Sequence, residues 1–135
     1  MEDTRFGIRI QVQRPFAETL DRTTAALKAQ GFGVITSIDM AGTLKEKLGR
    51  EREPYVILGA CNPLLADRAL AAEPEIGLLL PCNVIVYAAT PTTSTVAAMA
   101  PLPAMGMIGN DALTAIAREA DTKLRAALTA LESGL

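Results

Sequence analysis

The sequence contains no histidine and no tryptophan, and only 4% of its 135 residues are aromatic. Without histidine the chain has no imidazole for binding a metal, activating a serine or cysteine nucleophile, or transferring protons near neutral pH. Any catalysis would therefore depend on carboxylates, lysines, tyrosines or the two cysteines. Since so few rings are available, the core must consist of Leu, Ile, Val, Met and Ala side chains.

Strong net charge and long apolar runs are also missing. Thirteen basic and fifteen acidic residues give a formal net charge of -2. The basic residues are scattered, and few rings are available for base stacking, so we expect no nucleic-acid binding. Residues 1–5 are largely charged, and no apolar run is long enough to cross a bilayer. We therefore expect no signal peptide, no membrane association and a cytoplasmic location.

The cysteine count is low, with only Cys61 and Cys82. Two cysteines in a chain without an export signal predict free thiols in a reducing compartment, although a single disulfide or a soft-metal pair stays open. A chain of this length is expected to form one domain over residues 1–135 and to bury a sizeable core without disulfides.

Apolar periodicity predicts an α+β domain. Residues 6–12 alternate between apolar and polar, which predicts a strand that buries Phe6, Ile8, Ile10 and Val12 on one face. Helical spacing predicts helices over 16–30 and 63–72, a short helical turn over 43–48 with Leu44 and Leu48 inward, and a long C-terminal helix after Asn110. Further strands are predicted over 34–38, 54–60, 76–80, 82–88 and 95–99, with a loop over 100–109. This order favours an antiparallel or mixed sheet with helices on one side.

Two short segments resemble each other, because each is an apolar run that leads into Cys-Asn. They cover residues 57–63 and 78–84. Asn62 is a good N-cap, and the Pro63 that follows suits the first helical position. A helix that folds back between the segments would bring both cysteines to one end of the sheet.

Cys61 has the clearest chemical argument. A thiol just before an Asn-capped helix lies near the positive end of the helix dipole, which favours the thiolate. Redox or covalent thiol chemistry, soft-ligand binding and burial as a small apolar residue are all open for Cys61 and Cys82. Their spacing matches no zinc signature, and two thiols leave a tetrahedral site half empty.

The remaining candidates have simpler explanations. Glu73 and Glu75 flank a proline and would act as a proton-transfer pair only if their environments separate their pKa values. Tyr55 and Tyr87 lie in apolar strands, where a phenol is typically a packing residue. The methionine-rich segment 100–109 would either cover a ligand pocket or pack on the sheet or a partner.

Four segments, residues 32–34, 43–49, 57–63 and 73–84, carry a resemblance to a known family. Over about residues 6–131 the chain resembles the bacterial and archaeal domain-of-unknown-function family 302. The resemblance implies a curved antiparallel sheet with helices on one side, similar to the TATA-binding-protein-like topology, with an extra helix after Cys61. It implies no activity. The motif positions that carry over are Cys61, Asn62, Pro63, Glu73, Pro74, Glu75, Pro81, Cys82 and Asn83.

The leading functional hypothesis is a homodimeric module that binds a small ligand or a soft metal. The residues expected to bind are Cys61, Asn62, Glu73, Glu75, Cys82 and Asn83. The first alternative is a thiol enzyme or redox protein in which Cys61 attacks, Cys82 resolves, and Glu73 or Glu75 carries the proton. The second alternative is a structural interaction domain whose cysteines belong to the core.

Overall fold

One six-stranded sheet organises the chain. The structure, a computed structural model, describes residues 1–134. The strands are β1 (Glu2–Asp3), β2 (Gly7–Val12), β3 (Gly33–Asp39), β4 (Tyr55–Cys61), β5 (Cys82–Thr90) and β6 (Thr93–Met99). They lie in the order β1-β2-β6-β5-β4-β3, and every neighbouring pair is antiparallel. The predicted α+β architecture, with helices on one side of an antiparallel sheet, is confirmed.

Residues 1–134 also form five α-helices and one 3-10 helix, of which the last two α-helices follow the last strand and the others connect strands. The helices are α1 (Phe16–Ala29), α2 (Met40–Leu48), α3 (Pro63–Ala72), α4 (Pro101–Gly106), α5 (Asp111–Glu132) and the 3-10 helix Pro74–Leu79. The start of α5 follows from Asn110, whose side-chain oxygen accepts hydrogen bonds from the backbone N–H groups of Ala112 and Leu113 at 3.0 and 3.3 Å. This cap replaces partners that the first turn of a helix lacks.

The core lies between the sheet and the stripe of α5 that faces it. Alternate residues of β2 point into it, so Ile8, Ile10 and Val12 are buried, whereas Gln11 between them is exposed. The stripe on α5 has helical period, and each of its members is at most 5% exposed: Leu113, Ile116, Ala117, Ala120, Leu124, Ala127, Leu128 and Leu131. Burial of this stripe holds the long helix on the sheet.

Two residues predicted to be buried are exposed. Phe6 is 89% exposed because β2 begins one residue later, after a turn in which the Thr4 hydroxyl accepts hydrogen bonds from the backbone N–H groups of Phe6 and Gly7. Leu48 is 65% exposed because α2 lies at the margin of the fold and buries none of its residues. Both predictions were wrong because an apolar pattern alone shows neither where a strand begins nor whether another element covers a helix.

Two segments differ in secondary structure from the prediction. Residues 76–80 were predicted to form a strand, but Pro74–Leu79 is a 3-10 helix that buries only Ile76. The Glu73 carboxylate caps this helix by accepting a hydrogen bond from the backbone N–H of Glu75 at 3.0 Å. Residues 100–109 were predicted to form a loop, but Pro101 begins the short helix α4, and Met105 anchors that helix in the core at 3% exposure.

The contrast between Leu124 and Leu48 gives a test of the fold. Leu124→Ala removes a side chain with 0% exposure, so we expect it to lower the free energy of unfolding by about 3 kcal/mol. Leu48→Ala acts on an exposed side chain and should change that free energy by less than about 0.5 kcal/mol. Urea unfolding followed by circular dichroism measures both variants. Equal losses of stability would contradict this packing.

Candidate functional site

A cavity of about 270 Å³ lies where β4 ends and β5 begins, on the helix-covered side of the sheet. The helices α3 and α5 and the short α4 enclose its inner wall, and nearly all of the surface is carbon and sulfur. Side chains from these helices and from the end of α1 line the cavity: Phe32, Leu65, Ala69, Met105, Ile116 and Ala120. Alanines on the facing helices leave space that larger residues would fill.

Both cysteines line this cavity. Cys61 is the last residue of β4, and Cys82 is the first residue of β5. In the β4–β5 ladder, Ala60 lies opposite Cys82, so the two thiols belong to adjacent positions on neighbouring strands. They are free thiols, with Cys61 half-buried and Cys82 buried. The helix α3 folds back between them, which is the arrangement that the repeated Cys-Asn pattern predicts.

Asn62 supplies the polar group of the cavity. Its side-chain oxygen accepts a hydrogen bond from the backbone N–H of Leu65 at 3.3 Å, which caps α3 and fixes the amide. The neighbouring Gly31 has a positive φ of 85°, and a β-carbon there would lie 3.1 Å from the Asn62 side-chain nitrogen. Glycine is therefore required at this position both for its backbone conformation and for the space beside the amide.

Burial raises the pKa of the Cys82 thiol to about 11, and the neighbouring Cys61 adds to the rise. A thiol in an apolar setting without a cation resists ionisation, because the thiolate would lose its hydration. Within residues 1–134, no Asp, Glu, Lys or Arg lines the cavity. Cys82 is therefore a neutral, weakly polar wall at physiological pH.

The structure separates the other candidate residues from the cavity. Asn83 is exposed on the opposite face of the sheet, because consecutive residues of a strand point to opposite faces. Glu73 caps the 3-10 helix and Glu75 is exposed, and neither lines the cavity. The described part of the chain contains no group of three Cys, Asp or Glu residues arranged to hold a metal ion.

Sequence reasoning missed the mouth of the cavity. Ile35 and Leu70 line the opening and are 62% and 44% exposed. A β-bulge in β3 falls between Val34 and Thr36, at Ile35, and the alternation of the strand gave no sign of it. The helical spacing of Leu65 and Ala69 in α3 was the one available signal for the inner wall.

None of the helices in residues 1–134 is long and apolar enough to cross a membrane.

The unequal burial of the two thiols predicts unequal alkylation. The thiolate is the form of cysteine that attacks iodoacetamide, and a pKa of about 11 lowers the thiolate fraction of Cys82 near neutral pH roughly a hundredfold below that of a free cysteine. We expect the folded chain at about pH 8 to take one label, at Cys61, and Cys82 to react faster as the pH rises toward its pKa. Peptide mass spectrometry measures both sites. Guanidinium should equalise the two rates, whereas equal rates in the folded chain would contradict the burial of Cys82.

Comparison with known proteins agrees with this architecture. The family model described as "Domain of unknown function DUF302" matches residues 8–131. A crystal structure of an uncharacterized conserved DUF302 protein from Bacillus stearothermophilus is similar to the chain, with 32% sequence identity and a TM-score of 0.84. The similarity covers 93% of this chain and 98% of the other. No curated protein sequence matches the chain. The matched family model spans both Cys-Asn segments and all of the chain except its two ends. The chain therefore belongs to the DUF302 family.

Proposed function

We propose that the protein binds a small apolar molecule in the cavity beside Cys61 and Cys82. The apolar lining of the 270 Å³ cavity carries this proposal. An aliphatic cavity of about 150 Å³ is known to stay dry and to accept benzene, and pockets for larger ligands start at about 300 Å³. A cavity of the present size therefore fits a molecule with one or two rings or a short branched chain.

The mouth and the amide define further properties of this ligand. Ile35 and Leu70 give the opening an apolar rim, so an apolar molecule loses its hydration on entry. The Asn62 oxygen is occupied by the cap of α3, and within residues 1–134 no hydrogen bond is donated by its side-chain nitrogen. That NH₂ group is the polar donor at the cavity, which favours a ligand with a carbonyl, ether or hydroxyl oxygen.

The donor set supports binding of an apolar ligand over binding of a soft metal. Two thiols provide half of a tetrahedral shell, and Asp67, Glu73 and Glu75, the carboxylates between the two cysteines, do not line the cavity. The same placement weakens the thiol-enzyme alternative, because neither glutamate is in position to carry a proton for Cys61. Cys61 then serves as a polarisable contact at the edge of the cavity.

Ligand binding is tested with 1-naphthylamine, a neutral fluorescent probe that has two rings. We expect its emission to shift to shorter wavelength with the wild-type protein and Ala66→Phe to weaken binding by at least about tenfold, because Ala66 lines the cavity and a ring there would occupy it. Ala71→Phe is the matched control, since Ala71 lies in the same helix but is exposed and does not line the cavity. Thermal unfolding verifies that both variants fold. Equal affinity in Ala66→Phe and the wild type would refute the proposal.

We also propose that two copies associate through β3. This strand lies at the edge of the sheet and, within residues 1–134, pairs only with β4, so no strand of the described chain binds the backbone groups on its outer side. Its seven residues include no Lys, Arg or Pro, which are the residues that commonly protect an edge. The other edge, β1, has two residues, and both are acidic.

A second copy is the partner that this edge fits best. The strand is β-branched, uncharged until Asp39, and exposes Ile35 and Ile38 at 62% and 46%. Antiparallel pairing with its own copy satisfies the free backbone groups and places apolar residues opposite each other. It also covers Ile35, so dimer formation would deepen the mouth of each cavity.

Sedimentation equilibrium tests the dimer. We expect a dimer at micromolar concentration and a monomer for Ile35→Lys, because a lysine on an edge strand opposes pairing. Ile108→Lys is the control, since Ile108 is 45% exposed at the turn between α4 and α5. A monomeric wild-type protein, or a dimer that persists in Ile35→Lys, would refute pairing through β3. A dimer that does not bind the naphthylamine probe would support a structural interaction domain instead.

A further inference from the structure

The face of the sheet that carries no helices has a broad concavity of about 780 Å³. It lies across β2, β6, β5 and β4, and the N-terminal segment from Glu2 to Phe6 forms one side. It shares no lining residue with the cavity beside the cysteines. Cys82 lines the cavity, and the next residue, Asn83, lines the concavity on the other face. The apolar-ligand proposal does not use this surface.

One wall of the concavity is a stack of planar groups. Tyr55 and Tyr87 lie opposite each other in the β4–β5 ladder, and their rings are parallel within 7° with centroids 5.4 Å apart. The Arg52 guanidinium lies 5.2 Å from the centroid of the Tyr55 ring. These are two of the five aromatic rings in the chain, and they stand together on a sheet face that no helix covers.

The floor beside this wall is formed by the apolar side chain of Ile85 and the small side chain of Ala97. Ile85 of β5 lies opposite Ala97 of β6, and Ala97 in turn lies opposite Arg9 of β2. At the far side Phe6 is 89% exposed. An exposed ring at one border and a ring stack at the other, with a small residue between them, favour a flat molecule that lies on the floor.

Cations surround the same floor. Arg9 donates hydrogen bonds from Nε and Nη2 to Glu2 at 2.9 and 2.6 Å, and Asp3 accepts a hydrogen bond from Arg125 at 2.7 Å. Both carboxylates of the rim are therefore paired with arginines of the protein, and Arg125 is shared between Asp3 and Asp121. Arg5 and Arg52 line the concavity and form no ion pair with another residue of the described chain, so two guanidinium groups stay available for an anion.

We propose that this concavity is a second binding site, which takes a small planar aromatic molecule carrying an anionic group. The ring system lies on Ile85 and Ala97 between the tyrosine stack and Phe6, and the anion reaches Arg5 or Arg52. A nucleic-acid strand fits less well, because Arg5 and Arg52 are too few cations for a phosphate backbone and the chain carries a net charge of -2. The volume lies within the range of about 300–1,000 Å³ that holds molecules of cofactor size.

Flavin mononucleotide is a suitable probe because it joins a planar fluorescent ring to a phosphate. We expect the protein to quench its fluorescence with saturation in the micromolar range. Riboflavin, which lacks the phosphate, should bind about tenfold more weakly, because the guanidinium contact is lost. Arg52→Gln should weaken binding of the mononucleotide about three- to fivefold. Arg50→Gln, an exposed arginine that does not line the concavity, carries the same charge change and should bind as the wild type does.

Further variants separate the ring from the charge. Tyr87→Leu should weaken binding of the mononucleotide severalfold, whereas Tyr87→Phe keeps the ring and should retain the affinity. The naphthylamine probe should not compete with the flavin mononucleotide, because the two proposed sites share no lining residue. Absence of saturable quenching, equal binding of riboflavin, or equal loss in the Arg50 and Arg52 variants would overturn the proposal. If Tyr87→Leu fails to fold, the arginine pair decides, because both arginines are exposed and their replacement leaves the core intact.

Discussion

The register between β4 and β5 is the constraint on which both proposed sites depend. Because side chains of a strand alternate between faces, one ladder places Ala60 opposite Cys82 on the helix side and Tyr55 opposite Tyr87 on the open side. A slip of β5 by one residue would exchange its two faces, removing the Cys82 thiol from the cavity and the Tyr87 ring from the open surface together. Val84 and Val86 oppose such a slip, since both are fully buried and would become exposed.

The two surfaces differ in chemistry because the sheet is covered on one side only. On the covered side, facing helices exclude water, and the same exclusion that makes the cavity apolar raises the pKa of the Cys82 thiol. On the open side, the tyrosine rings stack while half-buried, and the Arg52 guanidinium beside them stays exposed to water. Two ligands of different polarity are therefore compatible with a chain of 135 residues.

Much of this fold is readable from the sequence where local chemistry decides the structure. Asn62 with Pro63, and Asn110 before an apolar stripe, mark helix starts that the structure confirms. The apolar run at 76–80 was wrongly predicted to be a strand. Over five residues, the spacing of apolar side chains does not distinguish a buried strand from a short helix with one buried residue. A proline before the run and a capping carboxylate decided the outcome.

The candidate site was only partly readable for a different reason. The meeting of the cysteines followed from a repeated segment and a helix between its copies. The placement of Asn83 away from Cys82 could have been inferred, since neighbours in a strand point to opposite faces. The stack of Tyr55 on Tyr87 could not, because it depends on a register between strands whose paired residues are 32 positions apart, and no local pattern specifies that register.

The connection from β4 to β5 has a consequence for how the protein folds and changes. Residues 62–81 link two adjacent antiparallel strands, so both thiols, the capping amide and the α3 wall of the cavity belong to one continuous stretch. Closing such a loop costs little more entropy than closing a shorter one, because the cost grows only with the logarithm of length. The two thiols therefore come together at a modest cost in chain entropy. Substitutions confined to it can reshape the cavity while the tyrosine stack on the reverse of the same two strands is left unchanged.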